Sequence, residues 1–486
     1  MQKLNPLAIF ADRRMLIIFC LGFSSGLPLA LTGATLQAWV TAAHLDIGTI
    51  GLFALVGLPY TMKFVWSPFL DRYAIPVLGL RRGWGIISQL GLCLAIIALA
   101  FIDPTQRLDL FSLAAFAVAF FSASQDIVVD AYRTEILDEA SYGAGAGIAT
   151  TGYRIATLIS GGVALVMADR TSWTNVYLCM AALSLVGAVT LLLSPEPKLK
   201  RSLKSAHLRD TLLLPFIEFF ERHGAMEILL FVMIYKLSTL MATALTTKFL
   251  LDMGFSNTLI GGVNKGAGLV ASIAGTLTGG SLMAKLGLKR SLWIFGVIQA
   301  LVGITFWAMP LVSSWQPGLR EFGMVAVISM DNFMMGLGTA AIAGFMMSVC
   351  SLQFTGTQFA LLSSLTAVTR VILVAQAGEM VKWIGWGPFF LGTVPLALPG
   401  LLLLRRFDHW QKPRLKAKRG MDAYDRVTVF IFIAALLALS SDPFWRWLEQ
   451  REIGAHVVLI GALGIIAVII AGLAKPYLIK EEPHHG

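Results

Sequence analysis

Eight charged side chains stand inside stretches that are otherwise apolar. Five are cations (Lys63, Arg154, Lys236, Lys265 and Arg370) and three are acids (Asp126, Asp130 and Asp331). A charge at the centre of a bilayer costs at least about 2.5–3.5 kcal/mol, so a charge kept there usually has a task. A carboxylate held beside a cation takes up a proton when the cation moves or is claimed by a ligand, which makes the three acids candidates for proton coupling. Guanidinium and ammonium groups bind carboxylates, arginine in bidentate fashion. Five cations against three acids leave positive charge in excess. An uncompensated buried charge is expensive, so the excess predicts an anionic ligand.

Gln125-Asp126 is the first candidate pair, about a turn inside the inner end of its helix. Arg154 is expected at similar depth; the alternative to coupling is a permanent ion pair between the two helices. Asp130 is expected at the membrane edge near Arg72 and Arg133, where an interhelical latch competes with a proton role. Asp331-Asn332 is the second-half counterpart of Gln125-Asp126. The candidate ligand-binding residues are Gln37, Gln125, Arg154, Tyr235, Lys236, Asn264, Lys265 and Arg370. Lys63, two turns from its helix end, is expected to snorkel towards an interface. Trp39 suits an interfacial anchor better than a sugar platform. Gly22, Gly26 and Pro28 predict a weakened or bent first helix whose freed backbone groups could face a cavity.

Other chemistry finds no support. Gly22-Phe-Ser-Ser-Gly26 fits G-x-S-x-G, but that motif needs a strand, a sharp turn and a helix, and here it lies within one apolar helix with no histidine nearby. No phosphate-binding G-x-x-x-x-G-K-[ST] and no H-E-x-x-H occur. The seven histidines are scattered over loops and tails, so no metal site, cofactor or catalytic group is expected. The four cysteines lack paired spacing and read as small core hydrophobes.

These residues are carried by a chain made for lipid. Hydrophobic residues make up 57% of the 486 and charged residues only 14%, with a mean hydropathy of +0.75. A soluble domain carries about 25% charged residues. Apolar runs give fourteen candidate spans: 14–39, 48–69, 83–102, 109–131, 143–167, 174–193, 226–249, 256–283, 291–312, 321–349, 356–381, 387–405, 427–447 and 454–474. Their length and lack of alternation predict helices. The first follows Arg13-Arg14, is too long for the apolar core of a signal peptide, and is expected to remain as a span.

The net charge of +10 sits in short loops rather than in a patch for nucleic acid. Placing the N-terminus inside puts 26 of the 38 Lys and Arg residues in inner segments and 7 in outer ones. That asymmetry is the topology signal of a membrane protein and predicts cytoplasmic termini. Two long basic segments punctuate the chain. They divide it into a six-helix bundle (1–194), a linker (195–222), a second six-helix bundle (223–406), a basic loop (407–426) and a two-helix hairpin with tail (427–486).

The two bundles echo each other. Leu78-Gly-Leu-Arg-Arg82 matches Leu286-Gly-Leu-Lys-Arg290, Ser124-Gln-Asp126 matches Ser329-Met-Asp331, and Tyr153-Arg154 matches Thr369-Arg370, in order and at similar offsets. Such a repeat predicts a ligand cavity between two rocking halves. The glycines of the fifth and eighth spans suit close packing of helices that slide.

Asp71-Arg72 followed by Gly79, Arg81 and Arg82 resembles the gating loop between helices 2 and 3 of the major facilitator superfamily, with Ser67 where that family has glycine. Longer strings, among them GFSSGLPLALTGATLQAW (22–39), TIGLFALVGLPYTMKFVWSPFLDRY (49–73), SASQDIVVDAYRTEIL (122–137), GYRIATLISGGVAL (152–165) and TQFALLSSL (357–365), resemble its AmpG-type muropeptide permeases. The resemblance implies a major-facilitator fold with two helices beyond twelve. It implies proton-driven import of an anionic glycopeptide across the bacterial inner membrane for cell-wall recycling, which in some bacteria feeds β-lactamase induction. A monomer in lipid is expected. A transporter of another anionic solute is the alternative. A membrane enzyme and a transport-dead sensor fit less well, for want of catalytic loops and because charges persist in both halves.

Overall fold

The computed structural model describes residues 12–45, 56–197, 208–313 and 316–411, apart from 317, 373, 375 and 376. The candidate spans 427–447 and 454–474 and both termini lie outside these residues. The described chain is helical, with one isolated bridge between Ile75 and Gly79. Ten helices are long and apolar enough to cross a membrane: α1 (Arg13–Ala42), α3 (Arg81–Phe101), α4 (Leu108–Ile136), α5 (Glu139–Ala168), α6 (Trp173–Leu193), α7 (Ala225–Asp252), α8 (Asn257–Leu286), α9 (Leu288–Leu311), α10 (Leu319–Val349) and α12 (Trp386–Trp410). Between them lie α2, seen as the short pieces Leu58–Met62, Lys63–Val65 and Ser67–Arg72, and α11 (Thr355–Ile372).

Local chemistry sets the helix ends. Asp12 caps α1 by accepting from the Arg14 backbone N–H at 2.8 Å. Ser172 and Ser256 do the same for α6 and α8. Glu196, just after α6, accepts from the backbone N–H groups of Leu80, Arg81 and Arg82 at 2.8–2.9 Å, which pins the start of α3. The break in α1 falls at Thr32–Gly33, later than Gly22 and Gly26 suggest. Those two glycines instead admit the backbone of α5. A Cβ on Gly22 would come 2.3 Å from Ala149 O, and one on Gly26 2.2 Å from Tyr153 O. The segment expected as a plain linker contains a helix, Leu208–Phe220, whose Phe216 and Phe219 are buried.

The two groups of helices meet at one end and part at the other. At the end bearing Arg81 and Arg82, a single apolar core draws residues from both, including Met15, Ile18, Phe64, Phe231, Phe345 and Leu362. Towards the opposite end the core divides. Leu31, Trp39, Phe111 and Tyr177 belong to one cluster and Phe249, Phe306, Met324 and Phe390 to another. The seam at the joined end is made by small residues of α5 and α8. A Cβ on Gly280 would lie 2.5 Å from Gly143 O, and one on Gly147 2.7 Å from Thr276 O. Of the other glycines of α8, Gly275 and Gly279 admit Phe333 and Leu337 of α10, whereas Gly261, Gly262 and Gly266 face open space.

Candidate functional site

Between the divided cores lies a cavity of about 760 Å³, walled by α1, α4 and α5 on one side and by α7, α8, α10 and α11 on the other. Helical spacing selects its polar wall. On α5, Thr150, Tyr153, Arg154 and Thr157 share the facing stripe, and on α10 Asn332, Met335 and Thr339 do.

Four of the five intramembrane cations line this cavity: Arg154, Lys236, Lys265 and Arg370. Among the described residues, none of the four has a carboxylate within salt-bridge distance. Lys236 Nζ donates to Thr339 Oγ1 at 2.8 Å and feels Asp331 electrostatically, along with Arg154 and Arg370. Arg154 Nε is buried with no hydrogen-bond partner. Arg370 and Lys265 are exposed to the cavity. Like charges drawn from α5, α7 and α11 thus converge from both halves, at a cost that only a bound anion or water relieves. The fifth cation, Lys63, does not snorkel. It is buried, with its Nζ 3.9 Å from Asp130.

The acids divide differently from expectation. Asp126 lines the cavity beside Ser25, with Lys63, Asp130 and Arg133 as its charged neighbours, and it forms no ion pair with Arg154. Asp130 also lines the cavity and is bound by Arg133 at 2.9 Å; Arg72 instead lies over the ring of Tyr73. Asp331 is buried with an unpartnered Oδ1, and its neighbour Asn332 is the residue that lines the cavity. Gln125 is wholly buried and donates to Ser24 Oγ at 3.1 Å within the first half. Tyr235 is buried in the second half, donating to Leu292 O at 3.0 Å. Gln37 is exposed and lies apart from the cavity lining. Asn264 lines it next to Lys265, on a π-helical turn spanning Asn264–Gly268. A second π turn, Ile159–Val163 on α5, contributes Gly161 and Gly162. Such turns recur at functional sites. Tyr153, Thr150, Thr157 and Thr339 were not singled out by sequence; the signal available was their helical spacing about Arg154 and Asn332.

Below the cavity the joined end is locked by charge. Asp71, 2% exposed, accepts from Gly356 N at 3.1 Å and from Thr357 N and Oγ1 at 2.6 Å each. Its carboxylate therefore occupies the N-terminus of α11, in the opposite half, where the helix dipole favours negative charge. Arg81, wholly buried, donates to Asp71 at 2.7 Å and to Glu135 at 2.5 Å. Arg82 turns away and donates to the carbonyls of Leu191 and Leu192. Arg133 adds a further bridge between halves, 5.5 Å above the ring of Phe359. The Leu208–Phe220 helix buttresses the same corner, with Glu218 accepting from Gln358 and Ser351.

Two helical groups around a central cavity, with a buried Asp–Arg–Glu lock at one end, agree with the family comparison. The family model described as Major Facilitator Superfamily matches residues 15–372. The chain belongs to the major facilitator superfamily. Within it, the chain belongs with the anhydromuropeptide permeases. It is 43% identical to the anhydromuropeptide permease of Escherichia coli K12 over 400 residues, which covers 82% of this chain and 80% of that protein. Two solved structures share the fold alone. A double-tryptophan XylE mutant superposes with a TM-score of 0.61 at 12% identity, covering 84% of this chain and 97% of that one. The human organic anion transporter MFSD10 (TETRAN) superposes with a TM-score of 0.57 at 16% identity, covering 82% and 98%. The chain is a multi-pass membrane transporter, and these relatives are transporters rather than enzymes.

Proposed function

We infer that the chain is a proton-coupled permease of the bacterial inner membrane. Its proposed cargo is anhydro-muropeptides, N-acetylglucosaminyl-anhydro-N-acetylmuramyl peptides, carried from periplasm to cytoplasm for peptidoglycan recycling. The observation that carries this reading is the convergence of Arg154, Lys236 and Arg370, from both halves, on one cavity, with no ion-paired carboxylate among the described residues. A muropeptide supplies carboxylates for these cations and sugar hydroxyls for Tyr153, Asn264, Asn332 and Thr339. The cavity of about 760 Å³ lies within the usual range for ligand sites, about 300–1,000 Å³.

The positive-inside rule assigns the basic-loop end to the cytoplasm and both termini with it. The cavity then opens to the periplasm, ready to load. Transport proceeds by rocking of residues 1–194 against 223–406 once the Asp71 lock releases. Asp126 is the proposed proton carrier. It lies in the cavity, and its charged neighbours include both Lys63 and Asp130, so ligand entry alters its surroundings. Asp331, beside Lys236, is its counterpart in the second half. The transporter acts as a monomer without cofactor.

Purified protein in proteoliposomes tests the reading. Labelled anhydro-muropeptide should accumulate under an inward proton gradient, and collapse of the gradient should abolish accumulation. Uptake of small organic anions in place of muropeptide would replace this assignment with a general anion carrier.

A further inference from the structure

The cavity's cations stand at different heights. The α5–α8 crossing fixes the register, because Gly147 lies against Thr276 and Gly143 against Gly280. The two helices run antiparallel, so a step outward on α5 matches a step back on α8. Arg154 is then level with Leu269, which also lines the cavity. Lys265 lies one turn farther towards the mouth, about 6 Å at a rise of about 1.5 Å per residue. On the other side, Gly344 of α10 faces the backbone nitrogen of Gly143. Thr339, which holds Lys236 Nζ, is therefore about 7 Å mouthward of Gly143, and Arg154 about 16 Å. Three of these cations form a staircase about 15 Å tall, with Lys236 lowest, Arg154 in the middle and Lys265 at the top.

The lower steps act together. Lys236 lies within the electrostatic field of both Arg154 and Arg370. Lys265 stands apart on its π turn, exposed to the cavity, with neither a hydrogen bond nor an ion pair among the described residues. An extended peptide advances about 3.3–3.6 Å per residue, so carboxylates one to three residues apart reach from one tier to the next. We propose that Lys265 forms an outer anion subsite that binds a second carboxylate of the ligand, carried on its peptide, while the Arg154–Lys236–Arg370 cluster holds the first. Ligands with two or more spaced carboxylates use both tiers, and ligands with one use the lower tier alone.

This rests on the muropeptide reading, and the test separates the two. Uptake kinetics are compared for an anhydro-disaccharide bearing L-Ala-D-Glu-diaminopimelate, with several carboxylates, and for the peptide-free anhydro-disaccharide, whose lactyl group is its only carboxylate. Lys265→Gln should raise KM about tenfold for the first ligand and leave the second within about twofold, matching the loss of one hydrogen bond to a charged group. Lys265→Arg should restore the first. An unchanged KM for the peptide-bearing ligand, or an equal rise for both, overturns the outer subsite while leaving the muropeptide reading intact. Wild-type protein that takes up neither ligand overturns both.

Discussion

Asp71 Oδ2 accepts two hydrogen bonds from Thr357, one from its backbone nitrogen and one from its hydroxyl, each 2.6 Å long. Asp71 lies in the last turn of α2 in the first half and Thr357 in the first turn of α11 in the second, so this one residue pair joins the two moving bodies. Breaking it should free the joined end. Hydrogen bonds to charged groups contribute about 1.5–3 kcal/mol each, and two are at stake besides that from Gly356. Asp71→Ala also strips Arg81 of one of its two carboxylates, although Glu135 remains. We expect Asp71→Ala to shift the population towards the state open at the basic-loop end. Distance distributions between spin labels on the two halves at that end read the shift directly. An unaltered distribution would show that the lock has no hold on the equilibrium.

The α5–α8 seam offers an independent handle. Gly280 has no room for a side chain, since a Cβ would press on the backbone of Gly143 and Ala144, which cannot yield as a flexible side chain would. Gly280→Val should therefore prevent the joined end from closing and reduce uptake at least tenfold. Gly262→Ala is the control, because a Cβ there meets nothing within 4 Å. It should transport like the wild type. Equal activity in both variants would remove the seam from the transport cycle.

Depth along the membrane was legible in the sequence, whereas direction around each helix was not. The expected spans 174–193 and 321–349 end within two residues of Trp173–Leu193 and Leu319–Val349, because apolar runs and flanking charges mark where lipid stops. Yet Gln125 points into the packing and Asp126 into the cavity, and the same split separates Asp331 from Asn332 and Tyr235 from Lys236. Consecutive residues lie about 100° apart on a helix. A helix apolar on nearly every side gives no stripe from which to read that angle. The Leu208–Phe220 helix escaped notice for the opposite reason, since the charges of its flanking segment masked a short apolar face.

Arg154 and Arg370 hold matching places in the two repeats and face the same cavity. Neither has an ion-pair partner to lose among the described residues, so neutralising one should weaken ligand binding and spare the fold. Arg154→Gln and Arg370→Gln are each expected to raise KM for anhydro-muropeptide about tenfold or more, consistent with about 1.5–3 kcal/mol per charge-assisted contact. The lysine variants should recover part of that loss, as lysine keeps the charge without the bidentate fork. Thermal stability of the detergent-solubilised variants should equal or exceed that of the wild type, because each substitution removes a charge that has no carboxylate partner to strand and lessens repulsion from Lys236. A marked fall in stability would mean that these arginines hold the structure rather than the ligand.

Asp126 separates coupling from binding. Asparagine has nearly the shape of a protonated aspartate and cannot release a proton, so Asp126→Asn freezes one protonation state with little change in packing. The residue lines the cavity without a direct ion pair among the described residues, and the substitution therefore strands no partner. We expect the variant to keep exchange of labelled for unlabelled muropeptide across a liposome membrane and to lose accumulation driven by an inward proton gradient. Exchange requires only that the loaded carrier rock between its two faces, whereas accumulation requires that a proton travel with the ligand and leave on the other side. Accumulation that persists unchanged in the variant would clear Asp126 of the coupling role and pass it to Asp331, the acid beside Lys236 in the other half.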